Sequence, residues 1–246
     1  MADWLAGPRG RLLRRAGIGH RRRVLELGCG HCSVTPELVR RAAGPVVALD
    51  RDIRPALAAG NSGAALCCAE AAALPFRDGV FDLALCQNVL LWAAAPSTMG
   101  AARPTASSCS PAPHPLGLIA AELRRVLGPG GAVVAIEPDY GGMMEYPEEI
   151  SVRDLWLRGL SAAGADPSIG RRLPAALEQA GFSIWLELQG IPQPATPQAT
   201  AFLLDLPLEE WERRKVTSVA QVLRGAEGTW EHFVHVPYFL LVATRS

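Results

Sequence analysis

The chain has 246 residues, 49% hydrophobic and 20% charged, enough for one ordinary domain with a full core and a soluble surface. No apolar run reaches the roughly eighteen residues of a membrane span, residues 1–5 lack the pattern of a secretion signal, and six irregularly placed cysteines make no secreted disulfide framework, so a reducing cytoplasm is the expected compartment. The net charge is zero, yet residues 1–23 carry seven arginines against Asp3, a local +6 balanced by −6 elsewhere. Without interleaved aromatic residues, Arg-rich residues 9–23 read as a solvated first helix and the polar edge before the first strand, and nucleic acid is not an expected partner.

Residues 4–16 have the spacing of a short amphipathic helix, with Leu5, Leu12, Leu13 and Ala16 apolar. With the residues up to 20 it makes an N-terminal helical cap, in which Trp4 either covers a bound nucleoside or packs on the sheet edge. Val24-Leu25-Glu26-Leu27 then breaks into Gly28-Cys29-Gly30-His31-Cys32, and helical spacing resumes over Ser33–Arg40. This reads as a buried strand, a tight turn and a helix start. Two chemistries claim it. Gly28-x-Gly30 lets the backbone pass close to a ligand at a helix N-terminus, where free N–H groups meet a polar or anionic group. Cys29-x-x-Cys32 is equally a thiol pair at a strand-to-helix junction, where a helix N-terminus lowers a thiol pKa, and Pro36 adds a resemblance to the active-site helix of thioredoxin-like proteins. The next strand, Val46–Leu49, favours the first reading, because it ends in Asp50 about twenty residues after the glycines. A nucleoside-binding βαβ unit places the acceptor for ribose hydroxyls there. A thioredoxin-like domain has no use for that carboxylate and usually carries an aromatic residue where Gly28 stands.

A short helix ending at Ala59 is stopped by Gly60-Asn61-Ser62-Gly63. Ala65–Cys68 reads as a third buried strand, its adjacent Cys67 and Cys68 as core side chains rather than a metal clamp. After the turn Leu74–Gly79, Phe81–Cys86 makes a fourth strand running into Gln87-Asn88. Residues 97–115, rich in proline and serine, read as a disordered insertion, and Cys109 with His114 is too sparse for a metal site. A helix over Leu118–Leu127 is ended by Gly128-Pro129-Gly130-Gly131, and a fifth strand covers Ala132–Glu137. Helical patterns follow around Val152–Ala163 and Leu173–Ala180, and late strands over Phe182–Leu188 and Phe233–Thr244. Between these strands, residues 192–230, with a helix at Leu208–Leu223, make a helical lid segment. Residues 1–246 thus form a single α/β domain, a doubly wound, mostly parallel seven-stranded Rossmann-like sheet with one antiparallel edge strand and a partly helical lid. Gly28–Gly30, Asp50, Glu70-Ala71, Gln87 and Glu137–Tyr140 then converge at the carboxyl ends of the strands, where such sheets bind ligands.

At this point the residues resemble a known family, the class I S-adenosylmethionine-dependent methyltransferases, in the small-molecule branch that includes quinone-biosynthesis enzymes. Five segments carry the resemblance in order over roughly residues 22–190: Val24–Cys32, Val46–Asp50, Glu70-Ala71-Ala72-Ala73-Leu74-Pro75-Phe76, Arg125-Val126-Leu127-Gly128-Pro129-Gly130-Gly131 and Leu177-Glu178-Gln179-Ala180-Gly181-Phe182. The resemblance implies S-adenosyl-L-methionine as cofactor, a small-molecule methyl acceptor, no metal and no membrane partner. It implies that Glu26, Gly28, Cys29 and Gly30 wall the methionine part, that Asp50, with Arg51 beside it, takes the ribose hydroxyls, that Glu70 and the Ala71 N–H face the adenine, and that Gln87 lies beside the amino-acid end. Asp139 and Tyr140, after the fifth strand, are the acceptor-side catalytic candidates. Three departures stand out: Cys32 replaces the third glycine, Glu70 replaces an aspartate, and the proline-rich insertion follows the fourth strand. The other functional classes left open are a thioredoxin-like oxidoreductase using Cys29 and Cys32 and a catalytically silent nucleoside-binding module.

Overall fold

A computed structural model of the protein describes residues 4–94, 115–226 and 228–246. The chain opens with α1 (Ala6–Arg15) and a 3₁₀ turn (Ile18–His20), then runs through β1 (Val24–Leu27), α2 (Thr35–Arg41), β2 (Val46–Asp50), α3 (Arg54–Ala59), β3 (Ala65–Cys68) and β4 (Phe81–Gln87). A 3₁₀ turn (Leu90–Trp92) leaves β4. Then come α4 (Pro115–Val126), β5 (Leu127–Pro138), β6 (Met144–Tyr146), α5 (Arg153–Ala162), α6 (Ile169–Gln179), β7 (Phe182–Gln189), β8 (Gln193–Pro194), a 3₁₀ segment (Pro197–Asp205), α7 (Glu210–Gly225), β9 (Phe233–His235) and β10 (Tyr238–Arg245). The main sheet has seven strands in the order β3-β2-β1-β4-β5-β10-β7, and β6-β9-β8 form a small second sheet.

Side chains alternate between the faces of a strand, and the central strands are apolar on both. Leu5 at the start of α1, Leu12 and Leu13 within it and Leu38 from α2 pack against Val24, Leu83, Leu85, Val134 and Ile136. Ile119, Leu123, Leu155, Leu173 and Leu177 from α4, α5 and α6 pack against Leu25, Leu27, Ala84, Val133 and Ala135. Each fully buried leucine contributes about 1.5–3 kcal/mol relative to an exposed one. β1 pairs in parallel with β2 on one side and β4 on the other. The strand order therefore reverses between β1 and β4, so the loops leaving these two strands part and a crevice opens at their carboxyl ends.

Several elements differ from the sequence reading. The antiparallel strand is β10, and it lies between β5 and β7 rather than at the edge. Chain leaving β7 returns through β10 into the gap beside β5, which leaves β7 outermost. The late run Phe233–Thr244 splits at Pro237, which cannot donate to a ladder, so β9 joins the small sheet and β10 the main one. β3 is the opposite edge strand, not a buried one, with Cys68 exposed and Cys67 half-buried. α6 begins at Ile169, four residues before Leu173, and holds Pro174 inside it. The proline-rich insertion lies outside the described residues except Pro115, which opens α4, a position where its missing N–H costs nothing.

The arginines of the first segment are not simply solvated. Arg9 is 5% exposed, and its guanidinium bonds Glu37 and Gln87. Arg21 donates to the carbonyls of Ala16, Asp82 and Gly130. Arg15 lies 4.0 Å over the Trp185 ring, and Arg11 pairs with Glu187. α1 is thus fastened across the sheet from Gln87 to β7.

Candidate functional site

The glycine turn is set by two different constraints. Gly28 has φ +67, and a Cβ there would lie 2.2 Å from Val89 Cγ2, so close approach excludes any side chain. Gly30 has φ +50 with no atom within 4 Å of a built Cβ. Its need for glycine is conformational, and the space beside it is open. The Gly28 and Cys29 amides donate to Leu49 O at 2.7 and 3.1 Å, and Gly30 N donates to Asp50 Oδ2 at 2.9 Å. Asp50 Oδ1 accepts from Asp52 N at 3.0 Å. The carboxylate at the tip of β2 therefore pins the turn at the tip of β1, and each oxygen keeps a further lone pair.

Beside this turn lies a cavity of about 290 Å³ whose wall includes Gly28, Gly30, Asp50, Arg51, Glu70 and Ala71, with Asn88, Val89, Leu90, Trp92 and Ile119 opposite. A second cavity of about 230 Å³ is walled by Glu26, Gly28, Cys29, Ser33, Gln87 and Asn88. The two share Gly28 and Asn88. All nine residues that the sequence nominates for the cofactor therefore border one or other of two adjoining spaces.

Electrostatics differ between them. Glu26 is 4% exposed, and burial pushes its carboxyl up to about 7 against the opposing influence of Thr35 and Arg9. Its Oε2 has no hydrogen-bond partner, and neither has Asn88 Oδ1. Gln87 Oε1 accepts from Arg9 Nη1 at 3.1 Å, which ties α1 to a wall residue of the second cavity. The loop carrying Glu70 is fixed from below. Arg125 donates to the carbonyls of Leu74 (2.9 Å) and Phe76 (2.6 Å), while Glu122 accepts from Leu74 N (2.6 Å). Two of the sequence segments that carry the resemblance are thereby stitched together.

Asp139 and Tyr140 are placed elsewhere. Asp139 Oδ2 accepts from Arg171 Nε on α6 at 2.7 Å, and the Asp139 and Tyr140 amides are bound to Pro237 O and Pro167 O. The Tyr140 ring stacks on Trp156 at 4.9 Å and 22°, and burial pushes its phenol up to about 12. Neither residue borders either cavity. Trp4 is half-exposed, edge-on to Tyr238 at 4.8 Å, and also borders neither.

The thiol reading is corrected by burial. Cys29 and Cys32 are both buried against Ala48 and Ala56, and α2 begins only at Thr35. Burial first, and then Cys32, push the Cys29 thiol well up, the reverse of an activated redox thiol. Cys32, at the third-glycine position, has φ 57, a left-handed conformation uncommon for a non-glycine residue.

Sequence reasoning passed over Arg9, Val89 and Trp92, and it gave Asn88 no role. Asn88 alone left a signal: asparagine directly after a strand suits a left-handed residue, and here φ is 55.

The doubly wound sheet, the glycine turn and the cleft at the β1/β4 switch define the class I S-adenosylmethionine-dependent methyltransferase fold. Residues 25–102 match the family model described as a methyltransferase domain. No curated protein sequence matches the chain. Among solved structures, a candidate methyltransferase from Bacillus halodurans is similar over 96% of this chain and 97% of its own, at 16% identity and TM-score 0.62. The cyclase SpnF is similar over 96% of this chain and 79% of its own, at 18% identity and TM-score 0.57. A geranyl diphosphate methyltransferase, solved with GPP and sinefungin, is similar over 98% and 77%, at 15% identity and TM-score 0.55. These likenesses establish the fold; the cyclase among them is a reminder that fold and chemistry are separate questions. Among the described residues, no helix is long and apolar enough to cross a membrane.

Proposed function

We propose that the protein is an S-adenosylmethionine-dependent methyltransferase acting on a small-molecule acceptor. The observation that carries this reading is that Asp50 and Glu70, from the ends of neighbouring strands, border one cavity beside the glycine turn, and that a second cavity holding buried Glu26 continues it. The donor set fits the cofactor. Asp50 keeps acceptor capacity for two ribose hydroxyls, and Glu70 and Ala71 stand at the adenine side. Glu26 Oε2 and Asn88 Oδ1 are buried acceptors without partners, suited to an ammonium at the amino-acid end. When bound, the cofactor supplies a sulfonium methyl already activated for in-line displacement. The chain's own work is alignment and exclusion of water. Gly28, Gly30, Cys29 and Arg51 shape the wall, and Arg9 holds Gln87 in place across the second cavity.

Residues 192–230 are read as a lid segment on the acceptor side. Phe202 of this segment stacks at 5.8 Å on Trp156 of α5, whose other stacking partner is Tyr140 of the loop after β5. Asp139, paired with Arg171, and Tyr140 are assigned to the acceptor side, beyond the two cavities. The geranyl diphosphate methyltransferase shows that the fold hosts small acceptors. The test is transfer of tritium from methyl-labelled S-adenosylmethionine to a cell extract divided into small-molecule, nucleic-acid and protein fractions. Label in the small-molecule fraction is the expected result. Label confined to either macromolecular fraction overturns the acceptor class, and donor binding without any transfer identifies a silent nucleoside-binding module.

A further inference from the structure

The turn that leaves β4 has no cap of its own. Asn88 N reaches Ile136 O at 3.0 Å, but the next two amides, Val89 and Leu90, enter a three-residue 3₁₀ turn, and the opening amides of such a turn find no partner within it. The N-cap residue is Val89, whose side chain has no acceptor. Glu137, fully buried at the end of β5, supplies one instead: its Oε1 accepts from Val89 N at 2.9 Å and from Leu90 N at 3.0 Å.

What it holds is a wall of the larger cavity. Asn88, Val89, Leu90 and Trp92 all border that space, and Val89 is the residue pressed against Gly28. An apolar residue would fill the site of Glu137 without the cost of burying a carboxyl. That cost is visible: burial raises Glu137 to about 7, and its Oε2 has no partner. Protonated on Oε2 or ionised, the group keeps Oε1 as an acceptor, so its hold on the two amides is a matter of length and position.

We propose that Glu137 is a positioning residue for donor binding, setting the Val89–Trp92 wall against the glycine turn through the Val89 and Leu90 amides, by reach rather than by charge. The inference rests on the methyltransferase reading above. It is tested with Glu137→Gln, which keeps the reach and the acceptor, Glu137→Asp, one methylene shorter, and Glu137→Met, which fills the space without an acceptor. The readouts are S-adenosylmethionine affinity by calorimetry and amide hydrogen exchange at Val89 and Leu90. Glu137→Gln is expected to bind within about threefold of wild type, while Glu137→Asp and Glu137→Met weaken binding about tenfold or more, a loss typical of buried donors left unpaired. Exchange at Val89 and Leu90 should quicken in those two variants and not in β1. Donor affinity of Glu137→Asp or Glu137→Met equal to wild type, even with a lowered melting temperature, reduces the residue to a structural cap and overturns the proposal. A loss in Glu137→Gln as large as in Glu137→Asp overturns the claim of reach over charge. If wild type binds no donor, the functional reading falls with its corollary. Where wild type does bind donor, unchanged exchange at Val89 and Leu90 in Glu137→Asp and Glu137→Met removes this inference alone.

Discussion

Glu26 should make donor binding depend on pH. It sits in β1 with 4% exposure, and burial raises its carboxyl from an ordinary 4.5 to about 7, with Asp50 adding to the rise and Thr35 and Arg9 opposing it. The folded state therefore holds a proton that the unfolded chain releases near pH 4.5. The free protein has this contribution in full below that pH and loses it as pH rises towards 7, by about 3 kcal/mol in all at about 1.36 kcal/mol per pH unit. A ligand ammonium next to the carboxyl reverses the preference, because an opposite charge favours the ionised form. If only the ionised form binds, the competent fraction is about 0.1 at pH 6 and about 0.5 at pH 7, so Kd falls about fivefold across that unit. The window ends there because the donor's own α-amino group titrates above it. Calorimetry at pH 6.0, 6.5 and 7.0, in two buffers of different ionisation enthalpy, measures both the affinity and the proton released. Glu26→Gln should flatten the profile and be the more stable protein at pH 7. Glu137 is also raised to about 7 by burial, so it shares the stability slope, and the Glu26 variant separates the two. A Kd independent of pH between 6 and 7, or proton uptake on binding, refutes the reasoning.

Arg9→Ala leaves Glu37 with Arg41 alone and Gln87 Oε1 without its donor, so it should cost about 2 kcal/mol, roughly 4–8 °C in Tm by calorimetry, and weaken donor binding. Cys29→Ser and Cys32→Ser should show no difference from wild type in insulin reduction, both lacking it, because the thiols are buried and Cys29 is pushed up rather than down. Donor affinity should be the same with and without reductant; a reductant-dependent Kd would show that the pair does cross-link beside the cavity. Arg125→Gln should loosen the Leu74–Phe76 carbonyls and lower both Tm and donor affinity, since the same guanidinium bonds both.

The sequence was most informative where function depends on local order. A strand, a glycine turn and a carboxylate one strand later are neighbours by construction of a βαβ unit, so Gly28, Gly30 and Asp50 could be assigned together. Glu70 followed from the Leu74-Pro75-Phe76 segment, although the reason that loop is fixed, the Arg125 guanidinium under its carbonyls, lies about fifty residues away. Residues whose meaning depends on packing were misread. Arg9 looked like one arginine of a solvated run until α1 carried it onto Gln87. Cys67-Cys68 looked like core because an apolar edge strand and an apolar central strand share one pattern. The place of β10 could not be read from alternation, since the same run of side chains fits either edge or interior. The acceptor-side nomination of Asp139-Tyr140 stands apart from these: it came from the strand end alone, and the Arg171 guanidinium that α6 brings to the carboxylate left no local signal.

The most direct measurement is calorimetric titration of S-adenosylmethionine into wild type, Asp50→Ala and Glu70→Ala. One site per chain is expected, with Asp50→Ala weakening binding by about ten- to a hundredfold, the range of one charge-assisted hydrogen bond or more, and the exposed Glu70→Ala by less. No heat with wild type, or an Asp50→Ala protein that binds as tightly, would contradict the placement of an adenosine between these two carboxylates.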